Sequence, residues 1–558
     1  MKMRKLFAGV AAAATLLSGL ALGATAANAA ETRPDSMTIT MNADNAVQFK
    51  DHTYKAVKIG KYDVSTGAQV LVASPAMNAL VKSALEAAGV KDVPAESSDY
   101  LQWAISNNKL DASGTSPFYG TTGVTRKFAD ALAQSTAESQ TPVTPQVNGA
   151  TATFNLGEVG YWLIVDQNAV NDKSSKSLAI LVGTPWTLSD GTVVSAGTIN
   201  VKNQTATVDK TVDDQTVAIG KDATYTITTK IPNYVGYKVQ GYTFQVKDKF
   251  ADNAPLAYKA GTLTVKVGDT PLTSDQYTVA GFDAASKTFT VDLSSYIQSQ
   301  GFSGTADEKS LFDKTDLVGK TVTITYSATV TGTIGNQGAP NSPSIVYPND
   351  PSDNEKKDEI PGTPVKVFNF DYNLKKIDRT TGAVLQGAKF AIKDKTSGKW
   401  LGYVAAAGET PARWVELAAE PTADENKTEA DGVFTTGENG LVSFKGLDAG
   451  SYTIKEIAAP DDYVSVGLTF DVKIDANISG SGSEAVATPT YTVTGDLLDL
   501  VSDGNTSTVT VENVKSLTQL PVTGAAGIAL FVAVGALLAG AGAAVYAKST
   551  RTRRLLNA

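Results

Sequence analysis

Between about residue 30 and residue 520 the chain alternates apolar and polar residues with a period of two. Ala223–Thr229 and Lys320–Val330 place an apolar or aromatic side chain at nearly every second position, with threonine between. This is the pattern of strands with one face buried. Asp190-Gly191, Asp431-Gly432 and Asn439-Gly440 punctuate such runs as turns. Helical spacing appears in two stretches, Asn78–Ala88 and Phe128–Ala133, both before residue 200. The pattern predicts a mainly β chain, a string of β-sandwiches with some helix in the first. Three domains follow, over 30–200, 203–350 and 366–515. The polar stretch Asp350–Gly362 reads as the linker between the last two. No close sequence repeat relates them.

The ends carry different patterns. Lys2, Arg4 and Lys5 precede an apolar run from Leu6, and Ala27-Asn28-Ala29 offers a small-residue cleavage site. Residues 1–29 therefore read as a secretory signal peptide. Residues 525–547 are apolar and uncharged, long enough to cross a bilayer as a helix. Lys548, Arg551, Arg553 and Arg554 follow and hold the tail on the cytoplasmic side. Just before the span stands Leu520-Pro521-Val522-Thr523-Gly524.

An LPxTG motif, an apolar span and a basic tail in this order resemble the cell-wall sorting signal of Gram-positive surface proteins. The resemblance implies that a sortase cleaves Thr523–Gly524 and passes the Thr523 carbonyl to an amine. It also implies anchoring to peptidoglycan after a transient stay in the membrane.

Composition narrows the chemistry. The 558 residues contain no cysteine, one histidine, 48 Lys+Arg and 57 Asp+Glu, a formal charge of −9. Disulfides, thiolate metal sites and cysteine nucleophiles are excluded, and a multi-histidine metal site within the chain is impossible. The negative charge speaks against nucleic acid as a partner. No motif pairs two carboxylates as a glycosidase requires, and no loop carries an EF-hand pattern. No cofactor is expected and no metal-ligand motif stands out, with Ca²⁺ in the acidic loops left open. His52 reads as a strand-edge residue without a special role.

In the third domain Leu374–Gly382, Leu385–Phe390, Tyr452–Pro460 and Val509–Lys515 together resemble the prealbumin-like (Cna B-type) domains of sortase-assembled pilins. The segment around Glu456 is similar to the pilin E-box. The resemblance implies an intramolecular isopeptide bond between Lys376 and Asn513, promoted by Glu456. Strand parity bears on this independently. Phe370, Tyr372, Leu374 and Lys376 share a face, as do Tyr452, Ile454 and Glu456, and Val509, Val511 and Asn513. Three polar groups on otherwise apolar faces need a common explanation, because lone charges are almost never fully buried. Burial lowers a lysine pKa and raises a carboxyl pKa, leaving a neutral amine that can attack an amide carbon. A buried Lys–Glu ion pair with Asn513 as third partner is the alternative.

The second domain has a parallel set. Val208, Lys210 and Val212 share one parity, and Phe244, Val246 and Asp248 another. Pro340–Tyr347 resembles the terminal asparagine segment of fimbrial isopeptide-forming domains. The expected bond joins Lys210 to Asn341 with Asp248 as the acid, and Asn336 and Asn349 are rival partners.

Thr198–Gln204 resembles the pilin motif, with Lys202 at the position of the lysine that attacks the acyl-sortase. Asn200-Val201 departs from the usual aromatic-proline pair. Ile199 and Val201 share the parity opposite to Lys202, which should therefore face solvent. The resemblance as a whole implies the backbone subunit of a covalent pilus. Its partners would be identical subunits, minor pilins, a pilin-specific sortase and a housekeeping sortase. The alternative is a monomeric LPxTG-anchored adhesin that leaves Lys202 unused.

Overall fold

A computed structural model describes residues 36–521, apart from 44–45, 51, 64–68, 108, 111–123, 137–142, 168–175, 188–192, 202, 204–205, 235, 309, 352, 409 and 503. The signal peptide, the apolar span 525–547, the basic tail, Val522, Thr523, Gly524 and the turn Asp190-Gly191 lie outside the described residues. Among the described residues no helix is long and apolar enough to cross a membrane.

The first domain has three layers. One four-stranded sheet contains Thr198–Asn200, Thr38–Asn42, Thr151–Asn155 and Gln146–Asn148. A second contains Gln69–Val72, Tyr54–Asp63, Tyr161–Asp166 and Ile180–Gly183. The helices Pro75–Ala87, Tyr100–Ser106 and Val124–Thr136 form the third layer. Ile39, Met41, Phe154 and Ile199 meet Trp162 and Ile164 between the sheets. Leu163, Val57 and Ile59 meet Val81, Leu85, Phe128 and Leu132 beneath the helices. The strand Tyr161–Asp166 is thus buried on both faces, which is why it reads as a continuous apolar run. Ser74 starts the first helix by accepting from the Met77 N–H, with Pro75 next in line. The short middle helix, capped by Asp99, falls outside both expected helical stretches.

The second domain is a sandwich of two six-stranded sheets. One contains Val208–Val212, Asp222–Lys230, Thr321–Val330 and Thr264–Val267. The other contains Thr278–Asp283, Thr288–Asp292, Gln245–Phe250, Ala339–Asp350 and Asp353–Pro361. Alternation is complete along Thr321–Val330: Val322, Ile324, Tyr326, Ala328 and Val330 are buried while the residues between them are not. Burying each of the valine and isoleucine side chains contributes about 1.5–3 kcal/mol.

The expected linker is instead structured. Asp353–Pro361 pairs antiparallel with Ala339–Asp350, and Val365–Val367 also pairs with that strand. The second domain's sheet therefore continues past residue 350 to Val367.

The third domain packs a three-stranded sheet, Leu441–Leu447, Phe370–Asp378 and Thr508–Asn513, against a seven-stranded one. The larger sheet includes Lys389–Asp394, Gly450–Ala458, Thr469–Ser479 and Val486–Thr494. Asn439-Gly440 forms its expected turn, with Gly440 at φ 72°. The second and third domains share one continuous buried core. Val217 N–H donates to Phe368 O (2.9 Å), Ile219 N–H to Gly446 O (3.0 Å) and Trp414 N–H to Ile219 O (3.2 Å). Gly446, at φ 55°, lies against the Ile219 side chain, where a Cβ would collide.

Candidate functional site

The third domain brings Lys376, Glu456 and Asn513 together. Phe370–Asp378 and Thr508–Asn513 are neighbouring parallel strands of the small sheet, in a register that sets Asp378 opposite Asn513 and Lys376 opposite Val511. Glu456 comes from Gly450–Ala458 in the facing sheet. All three residues are at most 1% exposed. Lys376 Nζ lies 3.0 Å from Glu456 Oε1 and donates to the Glu512 carbonyl at 3.1 Å. The Phe390 ring lies 5.6 Å from the same nitrogen.

Burial pushes the Lys376 ammonium below its usual range and the Glu456 carboxyl above its own, and the attraction between them only partly offsets this. Both directions favour the neutral amine and the protonated acid. Neither the Glu456 oxygens nor the Asn513 amide makes an aligned hydrogen bond, although the amide stands close enough to Glu456 to oppose the rise of its carboxyl. A buried amide left unpaired costs about 1–3 kcal/mol. Loss of its NH₂ group as ammonia, with a new amide to Nζ, would remove part of that penalty.

The second domain brings together Lys210, Asp248 and Asn341, with a different division between sheets. Lys210 stands on Val208–Val212 in one sheet. Asp248 and Asn341 stand on adjacent antiparallel strands of the other, where Phe250 is opposite Asn341. Lys210 Nζ is ion-paired to Asp248 Oδ1 with both side chains fully buried. The rings of Tyr225 and Tyr326 lie 4.7 and 5.1 Å from Nζ. Burial pushes the Lys210 ammonium down to about 8, against the pull of Asp248, and pushes the Asp248 carboxyl up. Removing the lysine's extra proton near neutral pH is therefore much easier than for a solvated lysine.

The rival asparagines stand elsewhere. Asn336 is in an exposed turn, and its carbonyl accepts from Ala487 N–H of the third domain. The Asn349 carbonyl accepts from Lys176 N–H of the first domain at 2.7 Å. Asn341 is the asparagine hydrogen-bonded into the cluster, through the Tyr326 hydroxyl (2.6 Å).

Sequence reasoning did not single out Tyr326. Its hydroxyl also accepts from Lys210 Nζ at 2.8 Å and donates to Asp248 Oδ2. The available signal was parity: Tyr326 lies on the inward face of Thr321–Val330, and a buried phenol needs a polar partner. His52 is not at an exposed strand edge. Its side chain is buried, with Nδ1 2.7 Å from Asp166 Oδ2, and the residue precedes the strand Tyr54–Asp63. Asn203 Nδ2 lies 3.5 Å from His52 Nε2 and donates to Tyr54 OH (3.1 Å) and Gln48 O (2.8 Å). This network fixes residue 203 on the first domain. Lys202 itself lies outside the described residues. Val201, its neighbour, is buried, and Thr198 is exposed.

Leu520 and Pro521 end the described chain, and Leu520 packs against the shared core. Among the described residues no group of His, Asp and Glu is arranged to hold a metal.

Residues 370–483 match the SpaA family, described as a prealbumin-like fold domain. No curated protein matches the chain. Among solved structures it is similar to the T6 backbone pilin of serotype M6 Streptococcus pyogenes, at 15% identity and a TM-score of 0.48, over 87% of this chain and 100% of that one. It is similar to the full-length major pilin SpaD from Corynebacterium diphtheriae at 17% identity and 0.44, over 88% and 100%. The group B streptococcus pilus 2b backbone protein is 25% identical at 0.36, over 55% and 98%.

Proposed function

We propose that this chain is the backbone subunit of a covalently polymerised surface pilus, joined by a sortase from Thr523 of one subunit to Lys202 of the next. The observation that carries this reading is the pair of buried Lys–acid–Asn clusters in the two domains that lie between Lys202 and Thr523 along the chain. In each, the amine attacks the asparagine Cγ, the acid takes a proton from the amine, and ammonia leaves. The bond closes a loop of roughly 130 residues, which restricts the unfolded chain by about 4–5 kcal/mol on the scale of disulfide loops of that size. The match of residues 370–483 to a prealbumin-like fold domain supports the same reading of the third domain.

In this account a pilin-specific sortase cleaves Thr523–Gly524 within the motif Leu520–Gly524, and Lys202 of an identical subunit takes the acyl group. A housekeeping sortase then transfers the finished polymer to peptidoglycan, with minor pilins added along or at the end of the shaft. The protein is itself a sortase substrate, and its only chemistry is on its own side chains.

Expression of the full chain with a pilin-specific sortase tests this. A high-mass ladder that survives boiling in detergent is expected, collapsing to monomer in Lys202→Ala. A single wall-released band without a ladder would favour the monomeric adhesin. A ladder that persists in Lys202→Ala would take the role from that lysine.

A further inference from the structure

The Tyr326 hydroxyl bonds to every member of the second-domain cluster, and each bond uses a different capacity of the oxygen. It accepts from Lys210 Nζ at 2.8 Å, accepts from Asn341 Nδ2 at 2.6 Å and donates to Asp248 Oδ2. One donor and two lone pairs are a phenol's whole inventory. The ring is fully buried, stacked on Tyr225 at 5.4 Å and edge-on to Phe289 at 4.8 Å, so the oxygen has a fixed position. The oxygen thus sits between the nucleophile and the leaving group of the reaction assigned to this site.

We propose that Tyr326 is a catalytic residue of the second domain, the proton relay between Lys210 Nζ and the departing nitrogen of Asn341. The proposal rests on the reading of this cluster as a cross-linking site.

Two protons must leave Nζ for each amide formed. The first passes from the Lys210 ammonium to Asp248 Oδ1, leaving a neutral amine and a neutral acid. Nζ then attacks Asn341 Cγ, and the carbonyl π electrons move to Oδ1. As the tetrahedral centre collapses, the Cγ–Nδ2 bond breaks. Nδ2 needs one more proton to leave as ammonia. Tyr326 supplies its hydroxyl proton to Nδ2 and takes the second proton from Nζ, so the phenol is regenerated. Protonation of Asp248 weakens its hold on the hydroxyl hydrogen, which frees that hydrogen to turn toward Nδ2. Burial and the neighbouring Asp248 charge push the Tyr326 phenol well above its usual range, so it moves a proton without resting as a phenolate.

The third domain is the internal control. Its lysine contacts Glu456, the Glu512 carbonyl and the Phe390 ring, and its asparagine amide stands beside Glu456 without an aligned hydrogen bond. No tyrosine hydroxyl bridges that cluster among the described residues, so its bond should form without such a relay.

The test is Tyr326→Phe in the full mature chain, with bond formation followed by time-resolved intact mass and by peptide mapping of both cross-links. The Lys376–Asn513 bond should form as in the parent. The Lys210–Asn341 bond should form about 10²-fold more slowly, the low end for loss of a general acid–base group. A second-domain bond formed at the parent rate would overturn the relay and leave both proton transfers to Asp248. A parent chain lacking the Lys210–Asn341 bond would instead overturn the reading beneath it. Folding is checked in an Asn341→Ala background, where no bond can form. There Tyr326→Phe should leave protease resistance unchanged, and loss of the second domain's resistance would assign the hydroxyl to packing and overturn the catalytic role.

Discussion

At the scale of single residues, the chain's unusual feature is charge placed where solvent cannot reach it. Lys376 and Glu456 face each other across the third domain's core, and their burial favours the neutral forms of both. Two substitutions separate a covalent bond from an ion pair there. Asn513→Ala removes the acceptor and keeps the Lys–Glu contact. Lys376→Ala removes the nucleophile and the acid's partner together. Denaturant unfolding, read by the fluorescence of Trp400 and Trp414, should show Asn513→Ala less stable than the parent by about 4–5 kcal/mol. Lys376→Ala should lose about 2–5 kcal/mol more, through the truncation and the stranded acid. An Asn513→Ala chain as stable as the parent would contradict a bond at that residue. Strand parity made these three inward-facing positions legible. It marks Tyr326 as inward-facing but not as the hub of the other cluster, and it does not pair His52 with Asp166. Parity says which way a side chain points, while the groups it meets across a sandwich depend on how the two sheets are laid together.

At the scale of elements, the most instructive difference is Asp353–Pro361. Its composition, charged and ending in proline, reads as a solvated linker. The structure makes it an outer strand of the second domain, with Ile360 buried opposite Ile345 and Glu359 paired to Lys247 (2.7 Å). Charged residues suit such a strand because they discourage further pairing along an open edge. A single buried apolar anchor gives too little alternation for a sequence reading to register. Helical spacing is easier to read: Asn78–Ala88 and Phe128–Ala133 fall on the helices Pro75–Ala87 and Val124–Thr136. Ile360→Ala should therefore destabilise the second domain by about 2–4 kcal/mol in a denaturant melt. A linker residue would give a change near zero.

At the scale of the whole molecule, the domains fall into two groups. The first has its own cores above and below one sheet, while the second and third share a single core across their junction. The two proposed cross-links would run in different directions. Lys210 and Asn341 stand on opposite sheets of the second domain, whereas Lys376 and Asn513 stand on neighbouring parallel strands within one sheet of the third. In the proposed polymer, tension enters at Lys202 and leaves at Thr523. It would pass along the terminal strands of both cross-linked domains and leave the first domain outside the load. On that account, Lys–Asn bonds would take the place of disulfides in a chain with no cysteine. The most direct test is the intact mass of the mature chain from Ala30 to Thr523, purified without reduction or chemical treatment. The account predicts a mass below that of the sequence by two molecules of ammonia, with peptide mapping assigning one to Lys210–Asn341 and one to Lys376–Asn513. A mass equal to that of the sequence would contradict it in both domains.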